Sequence, residues 1–107
     1  MEKSRSEQMD VVKHVVEKYV NENWESIDGY LTESTINHVI DTGTSILCTK
    51  WGIGYRGGSF VEAVVSNNLS QAIGSADPIN LRALKLYCQM IYNIGLPEEL
   101  FKYYKES

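Results

Sequence analysis

Ser6-Glu7-Gln8-Met9-Asp10-Val11-Val12-Lys13-His14-Val15-Val16-Glu17-Lys18-Tyr19-Val20-Asn21-Glu22-Asn23-Trp24 carries the clearest periodicity in the chain. Met9, Val12, Val15, Val16, Tyr19 and Val20 recur every three or four residues, so a helix gathers them on one face. Glu7, Asp10, Lys13, Glu17, Lys18 and Glu22 fall on the other, where Glu-to-Lys neighbours add modest local support and the face is solvated. Residues 6–24 are thus an amphipathic N-terminal helix, and helices elsewhere must cover its apolar stripe.

Asp28-Gly29 breaks the pattern, and Thr32 is placed to cap a second helix through Ile36, Val39 and Ile40 that stops at Gly43. Residues 43–58 hold five of the eight glycines, which predicts a glycine-rich loop with room for a brief strand at Ser45 to Thr49. Ser59, three residues before Glu62, reads as a capping box opening the central helix, whose apolar content is Phe60, Val61, Val64, Val65 and Leu69. A short turn follows from Ser70 to Ile73 and ends at Gly74. Asp77-Pro78 starts a helix that should continue to about Asn93, with Leu81, Leu84, Tyr87 or Cys88, Ile91 and Tyr92 facing the core. Pro97-Glu98-Glu99 opens a last short helix with acids at its positive end. The expectation is a mainly α fold, about five helices in one compact domain over residues 1–107, with the glycine-rich loop before the central helix.

A chain of 107 residues can bury one core without staples. Its apolar runs are interrupted well before the roughly 20 positions of a membrane span, and its N-terminus is too charged for a secretory signal. This points away from membranes and toward an intracellular location. Cys48 and Cys88 lie far apart with no companion ligands, as expected of reduced thiols. The net charge of −4 opposes binding to long nucleic acid. Residues 1–41 carry nine acids against four Lys or Arg, whereas residues 42–97 carry two against four. A small anion therefore finds its most favourable potential in the middle of the chain, unless that balance merely reflects a buried segment.

That middle segment holds the candidate site. In Tyr55-Arg56-Gly57-Gly58-Ser59-Phe60 the glycines allow close approach, and the first amides of the following helix face outward at its positive end. Arg56 supplies charge-assisted bonds to phosphate, Trp51, Tyr55 or Phe60 offers a ring to a base, and Gly57, Gly58 and Ser59 offer amides. The amide pair Asn67 and Asn68, and also Asp77 with Asn80, suit base edges or ribose hydroxyls, although they serve equally to close breaks between helices. An ordinary capped helix after a turn explains the same residues. The Lys-Ser/Thr of a P-loop is missing, and no βαβ unit accompanies Gly52 and Gly54. Neither His14 nor His38 has ligands at metal spacing, and Cys48 or Ser59 has only His38 as a loose candidate base. No catalytic residue, metal or cofactor is expected. Tyr103 and Tyr104 near the C-terminus suggest a surface covered by a partner subunit.

The ordered string Val39-Ile40-Asp41-Thr42-Gly43, Gly58-Ser59-Phe60, Ala63-Val64-Val65-Ser66-Asn67-Asn68-Leu69, Ala76-Asp77, Asn80, Ala83-Leu84 and Tyr92-Asn93 resembles a family of small phage and prophage proteins. Within it the chain is similar to anti-CBASS sponges of the Bacillus-phage type. The resemblance implies an oligomer, with a tetramer favoured, that sequesters a cyclic dinucleotide such as 3′3′-cyclic GMP-AMP in the host cell cytoplasm without cleaving it. Asn68 stands where that pattern usually has Asp, and Ser75 where many members carry Arg, so a phosphate contact is lost unless Arg56 replaces it. The competing expectation is an adaptor or inhibitor that meets a host protein through the acidic N-terminal helix or the tyrosine-rich tail.

Overall fold

The N-terminal stripe is covered mainly by one long second helix. In the computed structural model, which describes residues 2–104, α1 spans Arg5–Asn23 and α2 spans Glu33–Trp51. Short helices follow: α3 (Ser59–Val65), α4 (Leu69–Ser75), α5 (Pro78–Arg82) and α6 (Leu84–Asn93). Two 3-10 turns, Trp24–Ser26 and Glu98–Tyr103, complete the chain, and no strand occurs among the described residues. The expected mainly α domain with a glycine-rich loop before its central helix is what forms. Its radius of gyration is 13.2 Å, close to the roughly 13 Å expected of a chain this long.

Val12, Val16 and Val20 of α1 interleave with Val39, Ile46 and Leu47 of α2 and with Leu86, Tyr87 and Met90 of α6, all fully buried. Leu100 of the last turn closes the end of this core. Polar ties fix the helix ends: Lys50 Nζ donates to the Ile91 carbonyl at 2.9 Å, and Asn93 Nδ2 to Tyr19 Oη at 3.0 Å. Every buried side-chain polar atom among the described residues has a hydrogen-bond partner, as a well-ordered core requires.

Leu81 and Tyr92, expected to face the core, are exposed, and three further local expectations are corrected. First, α2 does not stop at Gly43 but runs eight residues further, so the loop occupies 52–58 rather than 43–58 and no strand forms at Ser45 to Thr49. Gly43 is a contact glycine: a Cβ there would lie 2.8 Å from Met90 Cε and 3.0 Å from Val16 Cγ1, where α2 meets α6 and α1. The true stop is Gly52, left-handed at φ 66°, whose N–H turns back to the Cys48 and Thr49 carbonyls. Second, the expected helix from Pro78 to Asn93 breaks at Ala83, because the Arg82 carbonyl accepts from Asp28 N–H at 3.0 Å instead of continuing the helical ladder. Third, the box of Ser59 with Glu62 does not form. Gly58 is the cap residue and α3 has no side-chain cap, whereas Ser4 and Glu7 make a complete capping box at the start of α1.

Candidate functional site

The missing cap on α3 has a chemical consequence. Glu62 turns its carboxylate to Arg56, accepting from Nε at 2.9 Å and from Nη2 at 2.7 Å. The first helical bond of α3 runs from Glu62 N–H to Gly58 O, so the amides of Ser59, Phe60 and Val61 have no protein acceptor among the described residues. They border an open groove of about 460 Å3, within the roughly 300–1,000 Å3 range of small-molecule sites.

The opposite wall is α2. His38, Asp41, Thr42 and Ser45 stand at i, i+3, i+4 and i+7 and therefore share one helix face, which lines the groove. Ser75, Asp77 and Asn80 close the third side from the junction of α4 and α5. Asp77 is the cap of α5, accepting from Asn80 N–H at 2.7 Å and Asn80 Nδ2 at 3.3 Å, and its second oxygen also accepts from His38 Nε2 at 2.9 Å. The buried Tyr87 hydroxyl donates to Asn80 Oδ1 at 2.7 Å, extending the chain of bonds into the core. Burial, opposed by a Thr42 hydrogen bond and assisted by the Asp77 charge, holds the Tyr87 phenol above its ordinary range, so it remains a donor. This network fixes the floor of the groove from within.

The groove presents hydroxyls, amides, two carboxylates and one histidine, with no Lys or Arg on its wall among the described residues. A strong anion is therefore opposed by Asp41 and Asp77 unless it sits at the α3 amides, while the carboxylates suit a donor edge such as a ribose hydroxyl or a base N–H. A ligand carrying a phosphodiester and polar rings satisfies both ends. No His, Cys, Asp or Glu cluster fit for a metal ion occurs among the described residues.

The sequence-predicted residues divide. Gly58, Ser59 and Phe60 line the groove, although the Phe60 ring is buried edge-on to Tyr87 at 5.9 Å between centroids and presents no free face. Trp51 is only 4% exposed and belongs to the core, which removes it as a stacking platform. Tyr55 is 54% exposed, but Arg5 lies over its ring at 5.3 Å. The Arg56 side chain is 70% exposed, held to Glu62, and absent from the groove wall. Gly57 donates its N–H to Thr49 Oγ1 at 2.9 Å, and a Cβ there would meet Ser45 Oγ at 2.5 Å and Val61 Cβ at 2.6 Å. Asn67 and Asn68 lie beyond the far end of α3, around a separate dimple of about 60 Å3. Asn68 caps α4 by accepting from Gln71 N–H at 3.1 Å, and Asn67 takes a left-handed φ of 62° in the turn. An Asp at position 68 would serve the same capping role.

Asp41, Thr42 and Ser45 line the groove without being singled out by the sequence; the helix end expected at Gly43 accounts only for Ser45, since Asp41 and Thr42 precede it. Their three-to-four spacing with His38 was the available signal. No protein family, characterised protein or solved structure matches the chain.

Proposed function

We propose that this chain binds a nucleotide phosphodiester in the groove between α2, α3 and the junction of α4 with α5, and holds it without turnover. The observation that carries this reading is the row of uncapped amides at Ser59, Phe60 and Val61 opening onto a groove of about 460 Å3 walled by hydroxyl, amide and carboxylate groups. The phosphodiester sits at the amides, and Asp41, Thr42, Ser75 and Asn80 receive sugar and base edges. The finer reading, a phage immune-evasion sponge for a cyclic dinucleotide such as 3′3′-cyclic GMP-AMP, is supported by the resemblance, whose Gly58-Ser59-Phe60, Asp77 and Asn80 all lie at this groove. A sponge needs abundance and slow release rather than chemistry, since it acts by lowering free ligand.

The test is incubation with a panel of cyclic di- and trinucleotides, read by mobility shift, followed by denaturation and chromatography of the released ligand. Intact ligand is expected. A cleaved product would make the protein a hydrolase, and failure of every nucleotide to shift it would remove the reading.

Exposed apolar side chains favour a companion reading in which the working form is a homo-oligomer, with a tetramer favoured. Leu69 and Ile73 of α4, and Cys88 with the 89%-exposed Tyr92 of α6, stand in water in the single chain. Phe101 and Tyr104 are likewise exposed, and they suit an adaptor that docks a host protein through the tail. Light scattering of the purified protein separates these: an oligomer supports the first, and a monomer that retains a host protein supports the second.

A further inference from the structure

The other end of the glycine-rich loop borders a recess of opposite character. Gly54, left-handed at φ 64°, lies directly on the start of α1, where a Cβ would overlap Met9 Cγ. The last 3-10 turn is tied to the same place: Lys3 N–H donates to Tyr103 Oη, and Gln8 Nε2 donates to Lys3 O at 3.0 Å. Between these three pieces is a recess of about 240 Å3, with Arg5 and Gln8 on one side and Gly52 and Gly54 on another. Lys102, Tyr103 and Tyr104 form the third side.

Among the described residues both charged side chains on its wall are cations, in a chain whose net charge is −4. Neither Arg5 nor Lys102 enters an ion pair among the described residues. Each lies over a tyrosine ring instead, Arg5 Cζ at 5.3 Å from the Tyr55 centroid and Lys102 Nζ at 5.2 Å from that of Tyr103. The ring faces hold the cations in place without neutralising them. Two cations on the wall of one recess raise the local potential and favour an anion there. Among the described residues no carboxylate lies on the wall, which distinguishes this recess from the α2–α3 groove, where Asp41 and Asp77 stand.

We infer that this recess is a second, independent anion site for a compact phosphate group, such as inorganic pyrophosphate or the terminal phosphate of a small monoester. Arg5 supplies a planar two-pronged donor and Lys102 a point charge, while the glycine backbone leaves room for the oxygens. The volume admits a phosphate or pyrophosphate and excludes a whole dinucleotide.

The experiment uses the full chain and inorganic pyrophosphate at low ionic strength, followed in amide NMR spectra. The Gly52 and Gly54 resonances should move saturably, and sodium chloride at matched ionic strength should not reproduce the shift. Arg5→Ala and Lys102→Ala should each weaken pyrophosphate binding by about fivefold to tenfold, Arg5→Lys less, and Lys18→Ala on the exposed face of α1 not at all. Gly58→Ala, which alters only the other groove, should retain the response. Shifts that merely follow ionic strength, or an unchanged midpoint in both alanine variants with native-like spectra, would overturn the inference.

Discussion

Replacing Gly43 with alanine sets two opposed effects against each other in the middle of α2. An alanine in a helix interior is favoured over glycine by about 1 kcal/mol, so a glycine that merely tolerates the helix would be improved by the change. The added Cβ would, however, lie 2.8 Å from Met90 Cε and 3.0 Å from Val16 Cγ1. The methionine methyl is the end of a flexible chain and can swing aside. Val16 cannot, because it is β-branched, fully buried and carried by α1. Overpacking of this kind costs about 1–3 kcal/mol, which leaves Gly43→Ala destabilised by about 1 kcal/mol after the helical gain. Urea denaturation should show a lower midpoint at unchanged slope. In a Val16→Ala background only the flexible end of Met90 remains in the way, and the same substitution should instead stabilise by about 1 kcal/mol relative to that background. A stabilised Gly43→Ala in the wild-type background would refute the close crossing of α1, α2 and α6.

Other outcomes follow from single contacts. Tyr87→Phe removes the side-chain donor to the buried Asn80 Oδ1, the only one among the described residues, and should cost about 1–3 kcal/mol in thermal or urea unfolding. Cys48 is buried, with its thiol pushed up to about 12 by desolvation, whereas Cys88 is exposed and its thiol is only raised. A thiol reagent at pH 8 should therefore label one cysteine per native chain and two after denaturation; rapid labelling of both in the native protein would contradict the burial of α2. The Glu7 carboxyl is lowered chiefly by the Ser4 N–H that donates to it, with help from the Ser4 hydroxyl and Lys3. Because its folded value lies below the unfolded one, its support of α1 is present at neutral pH and is lost as pH falls through the carboxylate range. Far-UV circular dichroism should show a small loss of helix in acid that Glu7→Gln abolishes.

Much of this architecture was legible from local pattern. The α1 boundaries, the Thr32 cap, the Asp77-Pro78 start and the late turn after Pro97 each rest on residues that lie together in sequence. The errors share a different origin. Gly43 carries the same letter whether it ends a helix or admits a neighbour, and the neighbours that decide it, Val16 and Met90, are remote in the chain. Ser59 and Glu62 have the spacing of a capping box, but Arg56 offers the carboxylate two donors and wins it. The break at Ala83 likewise depends on Asp28, a distant partner for the Arg82 carbonyl. Of the candidate site, the Gly58-Ser59-Phe60 turn, Asp77 and Asn80 are visible in sequence, while on the α2 wall only Ser45 is hidden by the expected stop at Gly43; His38, Asp41 and Thr42 lie on the expected helix, but nothing local says which of its faces borders α3. Trp51 and Asn68 were drawn toward a ligand by residue type alone, and packing and capping account for them instead.

The account turns on the groove at the start of α3, and Gly58→Ala tests it most directly. Gly58 lines the groove with φ −82° and ψ −161°, a conformation open to alanine, and nothing lies within 4 Å of a Cβ placed there. Alanine is a poorer cap than glycine, so the variant should lose no more than about 1 kcal/mol of stability, while its new methyl occupies the space where the phosphodiester meets the amides. Calorimetric titration with 3′3′-cyclic GMP-AMP should then show binding to the wild type and at least a tenfold loss in the variant. Equal affinity in the two proteins would place the ligand elsewhere and contradict the central claim.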